Sequence, residues 1–189
     1  MRSLQNHFLI ATPSMADPYF ARTVTYLCEH NDEGAMGLIV NQPVDVTITE
    51  MLKQLELVEG EPESLRGRCV YSGGPVNPER GFVLHSPKRG YNASLSLNSQ
   101  LMITTSVDIL SALGAEMGPE RFLVTLGYAG WEAGQLEKEL TDNTWLVVPA
   151  DEELTAKLLF DTPPSKRWEV ACARLGFDIW QLSSDVGHA

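Results

Sequence analysis

Three stretches of the chain carry residue types and spacings that could do chemistry. The first is Gly73-Gly74-Pro75-Val76, followed by Arg80-Gly81-Phe82-Val83-Leu84-His85. Consecutive glycines let backbone N–H groups face an anion with no Cβ in the way, and Arg80 would add charge. No G-x-G-x-x-G and no lysine-bearing phosphate loop goes with them. A tight turn between strands explains the glycines equally well. The second is Thr104-Thr105-Ser106 with Asp108, where hydroxyls at a strand-to-helix junction could hold a phosphate or carboxylate. Ordinary helix capping uses the same residues and is the favoured reading. The third runs from Gly127 through Tyr128, Gly130 and Trp131 to Glu137. Its aromatics could line a cleft with polar tips turned to water, or fill the core while the glycines allow close packing.

Nucleophilic and metal chemistry find less support. There is no Gly-x-Ser-x-Gly elbow, and His7, His30, His85 and His188 are far apart. Cys28 and His30 stand two apart, which would put a thiol and a base on one strand face, but no orienting partner is visible. No H-x-x-x-H or paired cysteine spacing offers a metal site, so neither metal nor cofactor is expected. Cys28, Cys69 and Cys172 are odd in number and widely spaced, which reads as reduced thiols. No catalytic residue is assigned.

Charge narrows the partners. Fourteen Lys and Arg against 25 Asp and Glu give a net −11. A nucleic-acid binder gathers basic residues to displace counterions, whereas here they are scattered. Direct DNA binding is therefore not expected. No apolar stretch approaches the ~20 residues that span a bilayer, and no secretory signal stands at Met1–His7, so a cytoplasmic protein without a membrane partner is expected. With 43% hydrophobic residues in 189, the chain suits one domain with a real core.

The elements that must position these residues follow from periodicity. Strands are expected over His7–Thr12, Arg22–His30 and Ala35–Asn41, the last apolar on both faces as in a covered central strand. Thr47-x-x-Glu50 is a capping box ahead of Ile48, Met51, Leu52 and Leu55 at helical spacing. Short strands are expected at Cys69–Ser72, Gly81–His85, Ala93–Leu97 and Leu101–Thr105, then a helix over Val107–Leu113 capped by Ser106. Phe122–Leu126 reads as a strand broken by Gly127–Gly130, before a helix from about Trp131 to Leu140. Trp145–Val148 is a last strand. Helices near Asp151–Phe160 and Pro163–Leu175 close the chain, with Thr162 capping the second and Gly176 past its end. Grouped strands without βαβα alternation predict a single α+β domain, its mixed, largely antiparallel sheet flanked by peripheral helices.

Several of these segments also carry a resemblance. His7–Pro13, Thr23–Asn31 with Gly34–Gly37, Gly73–Val76, Arg80–His85, Leu126–Trp131 and the terminal Gly187-His188-Ala189 together resemble the AlgH/YqgE family of bacterial proteins. The resemblance runs nearly end to end and implies a family-specific α+β fold and a cytoplasmic protein. It also brings a name that links one member to regulation of alginate synthesis, and it transfers no catalytic residue.

The leading expectation is a non-catalytic binding or indirect regulatory protein. Its groove would be built from Gly73, Gly74, Arg80, His85, Tyr128 and Trp131, taking another protein or a small anionic ligand. An enzyme on a small anionic metabolite, using Cys28, His30 or His85, is the alternative. A direct transcriptional regulator stands third, because no helix-turn-helix with basic recognition residues is evident. Oligomeric state is not legible.

Overall fold

Alternating apolar residues make His7–Ala11 (β1) and Val24–Asn31 (β2) into antiparallel neighbours, with Phe8 opposite Tyr26. The computed structural model describes residues 2–176; the Gly187-His188-Ala189 motif lies outside them. A tight turn leads into Gly34–Ile39 (β3), which pairs with β2 and, on its other edge, with the long strand Phe122–Glu132 (β9). Between these lie Pro43–Thr47 (β4), Ile48–Gln54 (α1), Cys69–Ser72 (β5), Val76–His85 (β6), Ser94–Ser96 (β7), Met102–Thr104 (β8) and Val107–Gly114 (α2). After β9 come Gln135–Thr141 (α3), Trp145–Pro149 (β10), Glu152–Ala156 (α4) and Pro164–Ala173 (α5).

The described strands form one curled sheet in the order β10-β1-β2-β3-β9-β6-β8-β7. β5 joins β9 beside β3 in a parallel pair, and every other pairing among the described residues is antiparallel. The chain is α+β, as grouped strands imply. Three apolar clusters surround the sheet. The α4–α5 side packs Leu154, Leu158, Trp168 and Ala171 on Phe8, Tyr26 and Leu38. The α3 side packs Leu136 on Leu9, Leu27 and Trp131. The α1–α2 end packs Leu52, Ile109 and Leu113 on Val83 and Val124. Each fully buried Leu or Phe contributes roughly 1.5–3 kcal/mol of transfer free energy, so these faces hold the fold together.

The structure corrects several sequence expectations, each for an identifiable reason. Gly127 does not end a strand: with φ +77° it kinks β9, and residues 129–132 continue as partners of β3. Trp131 is therefore a strand residue, and α3 starts four residues later, after Gly134 at φ +80°. β6 extends back to Val76 along an exposed arm, and β4 forms despite Pro43 because it lies at a pairing edge with β5. The capping box at Thr47 and Glu50 is made. Ser106 stands at the start of α2, but its hydroxyl donates to Asp108 and accepts from the Ala93 N–H, so it caps nothing. Thr162 is not the cap of α5 either: Pro163 takes that position, and the Thr162 hydroxyl donates to the Lys157 carbonyl at 2.6 Å. The helix expected to run to Phe160 instead widens into a π turn over Lys157–Asp161.

Candidate functional site

The glycine turn of the first motif is occupied by the sheet itself. The Gly73 N–H donates to the Leu126 carbonyl at 2.8 Å, and the Gly73 carbonyl accepts from the Ile39 N–H at 2.8 Å. Gly74 has φ +154°, and a Cβ there would stand 2.0 Å from the Tyr128 carbonyl carbon. Both glycines thus let β5 and β6 close against β9. Arg80, exposed, lies with its guanidinium carbon 5.2 Å from the Phe82 ring, and Phe82 meets Tyr128 edge-on at 5.9 Å. Gly73, Gly74 and Tyr128 therefore come together, and Arg80 is linked to them only through the Phe82 ring.

Trp131 and His85 do not join them. Tyr128 packs on the α4–α5 side of the sheet, while Trp131 projects to the α3 side and is 7% exposed. The Trp131 and Trp145 indole N–H groups both donate to Glu139 Oε2 at 2.8 Å. His85 is fully buried, with Nδ1 donating to the Ser86 carbonyl at 2.8 Å. That leaves Nε2 to accept from the Thr104 hydroxyl at 2.7 Å. Burial pushes the His85 imidazole below its ordinary pKa. A single groove walled by Tyr128 and Trp131 together is not formed, because they face opposite ways from β9.

The thiol and imidazole of β2 are separated by a register shift between Leu27 and Glu29. This bulge swaps the pleat. Cys28 packs among the α4–α5 cluster, where burial raises its thiol pKa to about 12. His30 turns the other way: Nδ1 accepts from the Leu4 N–H at 2.8 Å, so Nε2 carries the proton toward Glu137 Oε1 at 2.5 Å. Cys28 and His30 do not pair, and a thiol of that pKa is protonated at neutral pH. Among the described residues, no group of three His, Cys, Asp or Glu gathers as metal ligands would.

A different constellation emerges where β5, the start of β9 and the turn before α5 converge. A cleft of about 570 Å³ is lined there by Arg68, Arg121 and Arg167, together with Tyr71, Phe122 and Asp161. Arg167, from α5, is 5% exposed. Its Nε and Nη2 donate to the Thr162 and Leu159 carbonyls at 3.0 and 3.1 Å, and Nη1 donates to the Val40 carbonyl. The guanidinium lies 5.1 Å from the Tyr71 ring centre. Arg68, half-buried, donates to the Phe122 carbonyl at 2.7 Å and stacks 3.8 Å over that residue's ring. Burial holds both guanidinium groups below their usual pKa. Among the described residues neither has a carboxylate within ion-pair distance; Arg121 alone of the three does, at 3.1 Å from Asp161. The π turn supplies one of the carbonyls that hold Arg167, and such turns are frequent at functional sites.

No local signal in the sequence marks this cleft, because residues 68, 121 and 167 belong to three distant segments. A buried guanidinium held by carbonyls and by Tyr71, with no carboxylate in ion-pair distance among the described residues, keeps a positive charge that is costly unless an anion reaches it. A second cleft of about 660 Å³ adjoins the first, lined by Ser86, Lys88 and Thr155, and shares Glu120, Arg121 and Phe160 with it.

The fold and site define a one-domain α+β protein with a curled, largely antiparallel sheet, an arginine-lined cleft and, among the described residues, no assembled nucleophile. Residues 8–180 match the AlgH-like family model, and the chain belongs to that family. It is 59% identical to the UPF0301 protein of Idiomarina loihiensis and 57% identical to that of Pseudoalteromonas translucida, covering 100% of both chains in each case. It is also similar to the solution structure of the AlgH protein from Pseudomonas aeruginosa, at 49% identity and a TM-score of 0.78 over 100% of both chains. A crystal structure of a protein from Corynebacterium diphtheriae shares the fold, with 23% identity and a TM-score of 0.66 over 89% of this chain and 85% of that one. No helix among the described residues is long and apolar enough to cross a membrane.

Proposed function

We propose that this protein is a non-catalytic binding protein of the cytoplasm whose site is the Arg68–Arg167 cleft, and that its ligand is a small anion. The observation that carries this reading is Arg167: 5% exposed, held by three carbonyls and, among the described residues, with no carboxylate within ion-pair distance. Planar guanidinium groups match phosphate and carboxylate oxygens in a bidentate way, and the main-chain carbonyls already fix the fork. Apolar walls from Tyr71, Phe122, Leu159 and Phe160 lower the local dielectric and strengthen that attraction. A regulatory role, where one exists, follows from ligand occupancy and not from contact with DNA, since the net charge of −11 opposes a polyanion.

Calorimetric titration with inorganic phosphate tests this. Arg68→Met keeps the apolar stem over Phe122 and removes the charge; it is expected to weaken phosphate binding by about tenfold or more, as loss of one charge-assisted contact does. Arg80→Ala, in the glycine-turn region, is expected to leave binding unchanged. Loss of binding in Arg80→Ala with full binding in Arg68→Met would return the site to the 73–80 turn and Tyr128.

A further inference from the structure

The two adjoining clefts place cations at both ends of one trough. Lys88 Nζ donates to the Met117 and Gly118 carbonyls at 2.6 and 3.1 Å, and among the described residues no carboxylate is within ion-pair distance of it. Beside it in the second cleft, Thr155 is 1% exposed and its hydroxyl has no hydrogen-bond partner among the described residues. Buried hydroxyls are mostly paired, and of the unpaired ones at Thr25, Thr49, Tyr91 and Thr155 it is Thr155 that lines this cleft. Between the two ends lie the Phe160 ring and Arg121, and the Arg121 charge is already matched by Asp161 at 3.1 Å. Glu120 is the acidic residue that lines both clefts, and Asp161 lines the first alone.

Resting on the anion-cleft reading above, the geometry points to one elongated small molecule with a phosphate or carboxylate group at each end. One anionic end sits on Arg68 and Arg167, the other on Lys88, and the body crosses Phe160. Two separate anions would each lose translational freedom on binding, whereas linked groups lose it once and the second binds at high effective concentration. A body lying on Phe160 also keeps the two charges apart, which relieves their mutual repulsion.

The test is calorimetric titration of the full-length protein with inorganic phosphate, hexyl phosphate, hexanediol bisphosphate, octanoate and suberate. Lys88→Gln removes the charge but keeps a donor for the Met117 carbonyl, so the loop remains tied. A dianion is expected to bind about tenfold or more tightly than its mono-anionic counterpart, and Lys88→Gln to erase that advantage while changing inorganic phosphate by less than about twofold. An advantage seen for the bisphosphate alone identifies phosphate ends; one seen for suberate alone identifies carboxylate ends. Equal affinities for dianion and mono-anion, with Lys88→Gln silent throughout, overturn the elongated ligand and leave the arginine cleft standing. Phosphate binding that ignores Arg68→Met overturns the cleft and the extension together.

Discussion

His85 and Cys28 show how burial decides what a reactive side chain can do. The His85 ring is fully buried between the Ser86 carbonyl and the Thr104 hydroxyl, a pairing that suits the neutral imidazole with its proton on Nδ1. Its folded pKa lies below the ordinary value of 6.5, whereas the unfolded chain protonates it near 6.5. The unfolded state therefore binds more protons as pH falls below that value, and stability is lost in that direction. In urea unfolding from pH 7 down to about 5, the wild-type protein is expected to lose stability more steeply than His85→Asn, by at most about 1.4 kcal/mol per pH unit. Parallel pH profiles would mean that His85 accepts a proton in the fold. Cys28, pushed up to about 12 by the same desolvation, is a packing residue and no nucleophile.

At the scale of elements, β9 organises the molecule, and its glycines are where sequence reading and structure part most sharply. Gly-Tyr-Ala-Gly read as a strand break, because isolated glycines weaken strands. The φ of +77° at Gly127 instead bends one strand so that its first half serves β6 and its second half β3. The chain must then pass Gly74 against the Tyr128 backbone with no room for a side chain. Gly74→Ala is expected to cost about 3 kcal/mol or more, since it combines a backbone clash with a strained φ. Gly81→Ala, whose Cβ would meet only Leu126 Cδ2 at 4.0 Å, is expected to change stability by less than about 1 kcal/mol. Comparable losses at both positions, measured by chemical denaturation, would contradict the close-approach account. The bulge in β2 is a similar case: period-two reading put Cys28 and His30 on one face, and one extra residue sent them to opposite clusters.

Across the whole molecule, what was legible in the sequence is what depends on near neighbours. The capping box at Thr47, the strands at 69–72 and 145–148 and the grouping that defines an α+β chain all rest on local spacing, and all are present. Of the six residues expected to form a groove, Gly73, Gly74 and Tyr128 meet and Arg80 reaches them only through Phe82, while His85 and Trp131 are committed to hydrogen bonds elsewhere. Arg68, Arg121 and Arg167 could not be foreseen as a group, because only the sheet order brings β5, β9 and α5 to one place. Net charge is silent on this cleft for the same reason. A total of −11 describes the far field and says nothing about a cleft where three guanidinium groups converge.

The most direct measurement is amide NMR shift mapping of the full-length protein during titration with inorganic phosphate at low salt. A guanidinium-built site moves the amides of residues 68–71, 121–123 and 159–167, and leaves 74–80 and 127–131 in place. Shifts confined to the glycine turn and Tyr128, or scattered over the surface with no saturation, would contradict an anion site at Arg167.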